Sequence, residues 1–203
     1  MLHRVLENAT LYDLVQTLAG VHVSDKRMRE ILEPIQPGLR ILDAGGGTGN
    51  VAKIFDSGLS FYCMDIDFAR LRVAKARGVS AVQGDATRMP VTDASIDLVV
   101  LRAVSHHLDD ESFARMVAES RRVLKPTGSL LFQDPIWAPG RLPGRMLWRI
   151  DQGSHPRTEA QMRAVVENHF EIQRRVSFAV FHRYFLTLAR PKPRSGQAAE
   201  HSR

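Results

Sequence analysis

Ile41-Leu42-Asp43-Ala44-Gly45-Gly46-Gly47-Thr48-Gly49-Asn50 decides how this chain folds. An apolar run over 39–42 ends in an acid, residues 45–49 include four glycines, and a helical pattern starts at Asn50. Strand, tight turn and helix in that order open a nucleotide-type βαβ unit. Glycine suits the turn because it reaches positive φ where the strand reverses. It also has no Cβ, so a ligand can lie against bare backbone. The unpaired N–H groups at the helix start face that ligand and suit a phosphate or carboxylate.

The spacing narrows the ligand. Gly45, Gly47 and Gly49 give G-x-G-x-G directly after Asp43. A dinucleotide turn would need a third glycine where Asn50 stands. A P-loop would need a Gly-Lys-Ser/Thr ending, which is absent. Asp43-x-Gly45-x-Gly47-x-Gly49 resembles the first motif of the class I S-adenosylmethionine-dependent methyltransferases. The resemblance implies that this turn, with Gly46 and Thr48, holds the methionine part of that cofactor. The bland alternative is a glycine-rich turn that binds nothing.

At 203 residues the chain is expected to form one domain with a full α/β core. Apolar content of 44% and charged content of 25% are ordinary for a globular protein. Net charge is +6 and the pI about 10.0, a sign that suits acidic ligands, nucleic acid or an anionic membrane surface. Half of that excess lies in residues 190–203, where Arg190, Lys192, Arg194 and Arg203 face only Glu200. Nucleic acid is discounted accordingly. The one cysteine, Cys63, excludes an internal disulfide and fits a reducing cytoplasm. It sits in an apolar strand and reads as a buried thiol. No signal peptide or long apolar run is read, so no span is expected, although peripheral membrane contact is compatible with the charge. No metal site is assigned.

The elements alternate. Helical patterns over 5–18 and 25–32, the second capped by Ser24, precede the glycine turn. Strands are expected over 40–43, 60–64, 80–83, 96–101 and 129–133. Helices are expected over 50–55, 68–77, 111–124 and 158–169. Two last strands, 171–177 and 181–189, share a short turn and must be antiparallel to each other. The expected fold is α/β: a three-layer, Rossmann-like, seven-stranded, mainly parallel sheet with one antiparallel strand and an N-terminal helical cover. One domain spans 1–190, made of a lid (1–37), a cofactor-binding core (38–135), a substrate cap (136–157) and a last helix with strands (158–190). A disordered tail follows at 191–203.

Ligands in open α/β sheets bind beyond the carboxyl ends of the strands. Three consecutive strands there end in an acid: Asp43, Asp65 and Asp85. A carboxylate at Asp65 can accept both hydroxyls of a ribose. The resemblance implies that Gly84-Asp85-Ala86 reads the adenine, Asp85 accepting from its amine and the Ala86 N–H donating. Ile66 is expected to pack on the ring face, and Asp43 to order the turn or to meet the cofactor's amino group through water. Arg102, at the end of the fourth strand, is counted with these residues. The stretch from Asp93 to Val100 resembles the family's fourth-strand motif, with Ile96 in place of Phe. Arg121-Arg122-Val123-Leu124-Lys125-Pro126-Thr127-Gly128 resembles a structural motif that ends a helix and starts the fifth strand. Arg70 departs from the pattern, standing where methionine is common.

Methyl transfer asks mainly for an acceptor lone pair held in line with the S–CH₃ bond, with a base where the acceptor must lose a proton. His106 is the first candidate for that base, since imidazole titrates in the useful range. His107 is expected to pack beside the cofactor. Tyr12 in the lid, Asp134 at the end of the fifth strand, and His155 and Arg157 after the cap are the expected acceptor contacts. The cap carries Trp137, Trp148, Arg141, Arg145 and Arg149, which suits an amphipathic or acidic acceptor. A small-molecule methyltransferase is therefore expected. The alternatives are a lipid-directed methyltransferase at a membrane surface and a non-catalytic S-adenosylmethionine-binding module. An NAD-dependent oxidoreductase is disfavoured by the glycine spacing.

Overall fold

The computed structural model describes residues 21–55, 58–138, 140, 155–180 and 182–193. The helical pattern over 5–18 with Tyr12, most of the expected cap with Trp148, Arg141, Arg145 and Arg149, and the tail from 194 lie outside the described residues.

Helix α1 (Val21–Leu32) leads into β1 (Arg40–Ala44), a short 3₁₀ helix (Asn50–Ile54), β2 (Ser60–Asp65), α2 (Phe68–Ala76) and β3 (Ser80–Gln83). The second half holds β4 (Ile96–Arg102), a 3₁₀ turn (Ser105–His107), α3 (Asp110–Val123), β5 (Leu124–Ile136), α4 (Glu159–Glu167), β6 (Phe170–Ala179) and β7 (Arg183–Pro191). The seven strands lie in the order β3-β2-β1-β4-β5-β7-β6. All pairs are parallel except those of β7, which is antiparallel to both β5 and β6. The strand order reverses between β1 and β4, which makes that boundary the switch point of the sheet.

The central strands carry continuous apolar runs because both of their faces are covered. Successive residues of β4 separate cleanly. Leu98 and Val100 join Met28 and Ile31 of α1 on one face, and Val99 and Leu101 join Phe113 and Met116 of α3 on the other. Leu71 and Ala74 of α2 cover Cys63 of β2. This is the three-layer arrangement expected.

Side-chain caps start three of the helices. Asp67 accepts from Ala69 N and Arg70 N at the start of α2, and Asp109 accepts from Ser112 N at the start of α3. Thr158 and Gln161 form a capping box on α4.

Four boundaries differ from the sequence expectation. Residues 50–54 wind as a 3₁₀ helix. Helix α1 begins before Ser24, whose hydroxyl donates to Gln133 Oε1 (2.8 Å) instead of capping. A distant partner here outweighs a local cap. Strand β5 starts at Leu124, directly after α3, and a register shift between Ile96 and Leu98 absorbs the residues around Pro126. Strand β7 runs through Pro191, which pairs with Phe170 of β6, and Lys192 N donates to His169 O (2.9 Å), so these residues, expected in the tail, are part of the fold.

Arg122 ties the α3–β5 corner to the loop before β4. Its guanidinium is bidentate to Glu119 (2.7 and 2.8 Å) and donates to Met89 O, Val91 O and Asp93 Oδ1. Lysine cannot reproduce that fork. Arg122→Lys is expected to lower stability by about 1–3 kcal/mol, read as a lower urea midpoint at an unchanged m-value.

Candidate cofactor and acceptor site

The glycine turn is sewn to the end of β2. Gly45 N and Gly46 N both donate to Met64 O (2.7 and 3.0 Å), and Gly47 N donates to Asp65 Oδ2 (2.8 Å). The other oxygen of Asp65 accepts from Asp67 N (2.8 Å). Asp65 thus orders the turn, a task the sequence suggested for Asp43.

Asp43 lies directly beneath Gly46. A Cβ there would stand 2.3 Å from Asp43 Oδ2 and 2.8 Å from Cys63 Sγ, so no other residue fits. Asp43 is 1% exposed, and neither carboxylate oxygen has a hydrogen-bond partner among the described residues. Burial pushes its pKa up to about 7; Arg102 pulls the other way and Asp65 adds to the rise. The neighbouring Cys63 thiol is buried and pushed up to about 12, chiefly by burial, which makes it inert.

The next two strand ends continue this edge. Ile66 is 70% exposed and Phe68 57%. Phe68 was not singled out from the sequence; its signal is an aromatic residue three positions after a strand-end acid. Gly84 is backed by Met64 and Pro90, either of which a Cβ would strike within 3 Å. Asp85 Oδ1 accepts from Thr87 N (2.7 Å) and Thr87 Oγ1 (2.8 Å), an arrangement that fixes its carboxylate at the surface. Ala86 is half-buried against the main core. Thr48 O and Oγ1 accept from Arg77 Nη1 at 3.3 Å. Arg70 reaches toward the turn, its Cδ lying 3.8 Å from where a Cβ on Gly47 would be.

Several expected ligand contacts are occupied inside the protein. Arg102 bonds Asp25 Oδ1 (2.8 Å) and Ser24 Oγ (3.1 Å), anchoring α1 over the switch point. Arg157 is 4% exposed and its guanidinium is a brace. It donates to Asp110 Oδ1 (2.8 Å), Ser105 O (2.7 Å) and Leu108 O (2.7 Å), and lies 5.0 Å from the centre of the Phe113 ring. These partners replace the acceptor contact expected of it. Asp134 is 1% exposed, and its carboxylate takes Val104 N (3.1 Å), Ser105 N (2.8 Å) and His106 Nδ1 (2.6 Å). All three bonds lie inside the protein and commit the carboxylate to the 104–106 turn. His155 N donates to His106 O (3.1 Å). His107 is exposed, its ring centre 4.1 Å from that of His106.

A cavity of about 850 Å³ opens beyond the carboxyl ends of β5 and β6, lined by Ile136, Trp137, Thr158, Phe178 and Arg183 among others. The glycine turn does not line it.

The methyltransferase domain family matches residues 42–132, from the apolar run before Asp43 to the core of β5. A ubiquinone/menaquinone biosynthesis C-methyltransferase of Paraburkholderia phytofirmans is 34% identical over 152 residues, covering 68% of this chain and 60% of the relative. A demethylmenaquinone methyltransferase of Renibacterium salmoninarum is 30% identical over 141 residues, 66% of this chain and 59% of the relative. The chain belongs to the class I S-adenosylmethionine-dependent methyltransferases. It spans about three fifths of the length of these curated relatives. Among solved structures, magnesium protoporphyrin IX methyltransferase of Synechocystis, with S-adenosylhomocysteine bound, has the same fold (TM-score 0.71, 18% identity, 94% of this chain and 99% of that one). So does geranyl diphosphate methyltransferase in complex with S-adenosylmethionine (TM-score 0.69, 14% identity, 84% and 85% coverage). S-adenosylmethionine is the cofactor of this methyltransferase fold, and the chain's orphaned carboxylate, bare glycine backbone and strand-end acids fit a ligand bearing an ammonium and a ribose.

Asp43 makes the stability of the fold sensitive to pH. Its folded value, about 7, lies above the unfolded carboxylate value near 3.9. The folded state therefore binds the proton more tightly, and this share of stability is full below about pH 4 and lost as pH rises through about 7. The wild type is expected to lose urea midpoint between pH 5 and pH 8, and Asp43→Asn to flatten that decline. Parallel declines in both proteins would mean that other groups cause it.

Proposed function

We propose that this protein transfers the methyl group of S-adenosylmethionine to a small-molecule acceptor with an apolar ring body, of the quinol type. The observation that carries the transfer is the single edge on which Asp43, the open glycine turn, Asp65 and Asp85 meet. In this proposal Asp43 meets the cofactor's ammonium, Asp65 the ribose hydroxyls and Gly84-Asp85-Ala86 the adenine, with Ile66 and Phe68 beside the ring. The bound cofactor supplies a sulfonium-activated methyl group. The chain's task is to hold the acceptor carbon or heteroatom in line with it and to exclude water.

Two observations support the acceptor class. Of the two curated relatives above, one is named as a ubiquinone/menaquinone biosynthesis C-methyltransferase and the other as a demethylmenaquinone methyltransferase. The cavity beyond β5 and β6 is walled by Trp137, Ile136 and Phe178, with Arg183 at its margin. Among the described residues no helix is long and apolar enough to cross a membrane.

S-adenosylhomocysteine is expected to raise the melting temperature by mass action, and NAD to leave it unchanged. Asp65→Ala should weaken S-adenosylhomocysteine at least about tenfold, since each hydrogen bond to a charged group is worth roughly 1.5–3 kcal/mol. Calorimetry on folded wild-type protein checks both, and absence of heat with either S-adenosyl compound would remove the methyltransferase reading. Methyl transfer to a reduced short-chain demethylmenaquinol separates an enzyme from a module that only binds the cofactor.

A further inference from the structure

The reversed strand of the sheet delivers a cation to the carboxyl edge of its neighbours. Arg183 is the first residue of β7 and pairs with the last residue of β5, Ile136, and the last of β6, Ala179. Residues directly opposite on antiparallel strands share a face, and so do residues two apart on one strand. Arg183 therefore stands with Ile136, Ala179 and Ser177 on one face of the sheet. Met162 and Val166 of α4 pack on that face, in one cluster with Ile136 and Phe185. Where α4 begins, the cavity opens, and Ile136, Ser177, Ala179 and Arg183 all line it.

The charges at this corner do not cancel. Glu159, in the first turn of α4, takes the Ser177 hydroxyl at Oε2 (2.9 Å), and its Oε1 lies 3.7 Å from Arg175 Nη1. That acid is matched by that cation. Arg183 is exposed, and its guanidinium forms no ion pair with any described residue. The first turn of α4 also lines the cavity, so the positive end of the helix dipole adds to the same sign. The rest of the wall is apolar and flat. Trp137 is fixed through its N–H to Arg157 O (2.7 Å), and Phe178 stacks on Tyr184 with ring centres 5.3 Å apart. A cavity of about 850 Å³ takes a small ligand, and an apolar ring with one negative group suits both parts of this one.

We propose that Arg183 is a specificity-determining residue that binds a carboxylate carried on the acceptor's ring, so that the acceptor is an aromatic acid lying against Trp137, Ile136 and Phe178. The acceptor role rests on the methyltransferase reading above. Arg157, where the sequence placed such a contact, is spent on the protein itself, whereas Arg183 faces the cavity. A planar guanidinium matches one carboxylate through two parallel N–H bonds. A doubly charged phosphate would leave one negative charge unmatched beside Glu159, so the carboxylate is the better fit.

The test is calorimetry on the full chain, with and without saturating S-adenosylhomocysteine, using 2-naphthoate, its neutral isostere 2-naphthamide, and 2-naphthyl phosphate. The wild type is expected to bind 2-naphthoate at least about tenfold more tightly than 2-naphthamide. Arg183→Met should bring the two within about twofold of each other by weakening the acid alone, and Arg183→Lys should keep part of the preference. Unchanged affinity for 2-naphthamide and for S-adenosylhomocysteine shows that the variants are folded. Equal binding of acid and amide by the wild type, an acid preference that survives in Arg183→Met, or no binding of any of the three compounds overturns the proposal. Tighter binding of 2-naphthyl phosphate than of 2-naphthoate overturns the carboxylate assignment. An acid preference that depends on Arg183 in a protein that does not bind S-adenosylhomocysteine would uphold the anion site and remove the methyltransferase reading instead.

Discussion

Everything at the carboxyl edge of the sheet follows from how closely the glycine turn lies on the ends of β1 and β2. A single methyl at Gly46 would collide with the carboxylate of Asp43 and the sulfur of Cys63 together. The backbone is thus the lid of a small polar compartment, and Asp43 is its floor. Pressing peptide units onto a carboxylate excludes water without supplying a donor, because the N–H groups of Gly45 and Gly46 point to Met64 O and that of Gly47 to Asp65. The same contact that shapes the turn therefore leaves Asp43 unsatisfied.

The strand-end acids look alike in sequence and differ in what surrounds them. Asp65 spends one oxygen on the turn and the other on the start of α2, while each oxygen keeps a further lone pair. Asp85 is held by Thr87 at the surface. Asp25, on α1, is drawn in by Arg102 and Lys53 and fastens the helix over the switch point. Binding surface and scaffold are built from the same residue type, and hydrogen-bond accounting is what separates them.

That accounting also marks the limit of what the sequence revealed. The order of strands and helices was legible because apolar runs such as Ile96–Arg102 are dictated by burial on both faces. The glycine turn and its acids were legible because backbone geometry there tolerates few residues. The roles of Arg157, Asp134 and Ser24 were not, since each is decided by a partner far along the chain: Ser105 and Leu108 for Arg157, the 104–106 backbone and ring for Asp134, Gln133 for Ser24. Local spacing holds no trace of such contacts. The same cause moved the start of β5, where pairing with β4 overrode the breaking signals of Pro126 and Gly128.

Asp43 and Asp134 form the sharpest contrast. Both are 1% exposed, and both end central strands of one sheet. Asp134 holds three N–H donors and is complete within the protein. Asp43 holds none among the described residues and is kept in place by close packing. An ionised carboxylate buried without donors is costly, so at neutral pH Asp43 carries either that cost or a proton. A ligand that brings a positive charge to Asp43 removes both alternatives at once, and it gains the interaction without first having to displace a protein donor. The unsatisfied acid is therefore a source of binding energy for any cation brought to it, while the satisfied one is a source of rigidity for the turn beside it.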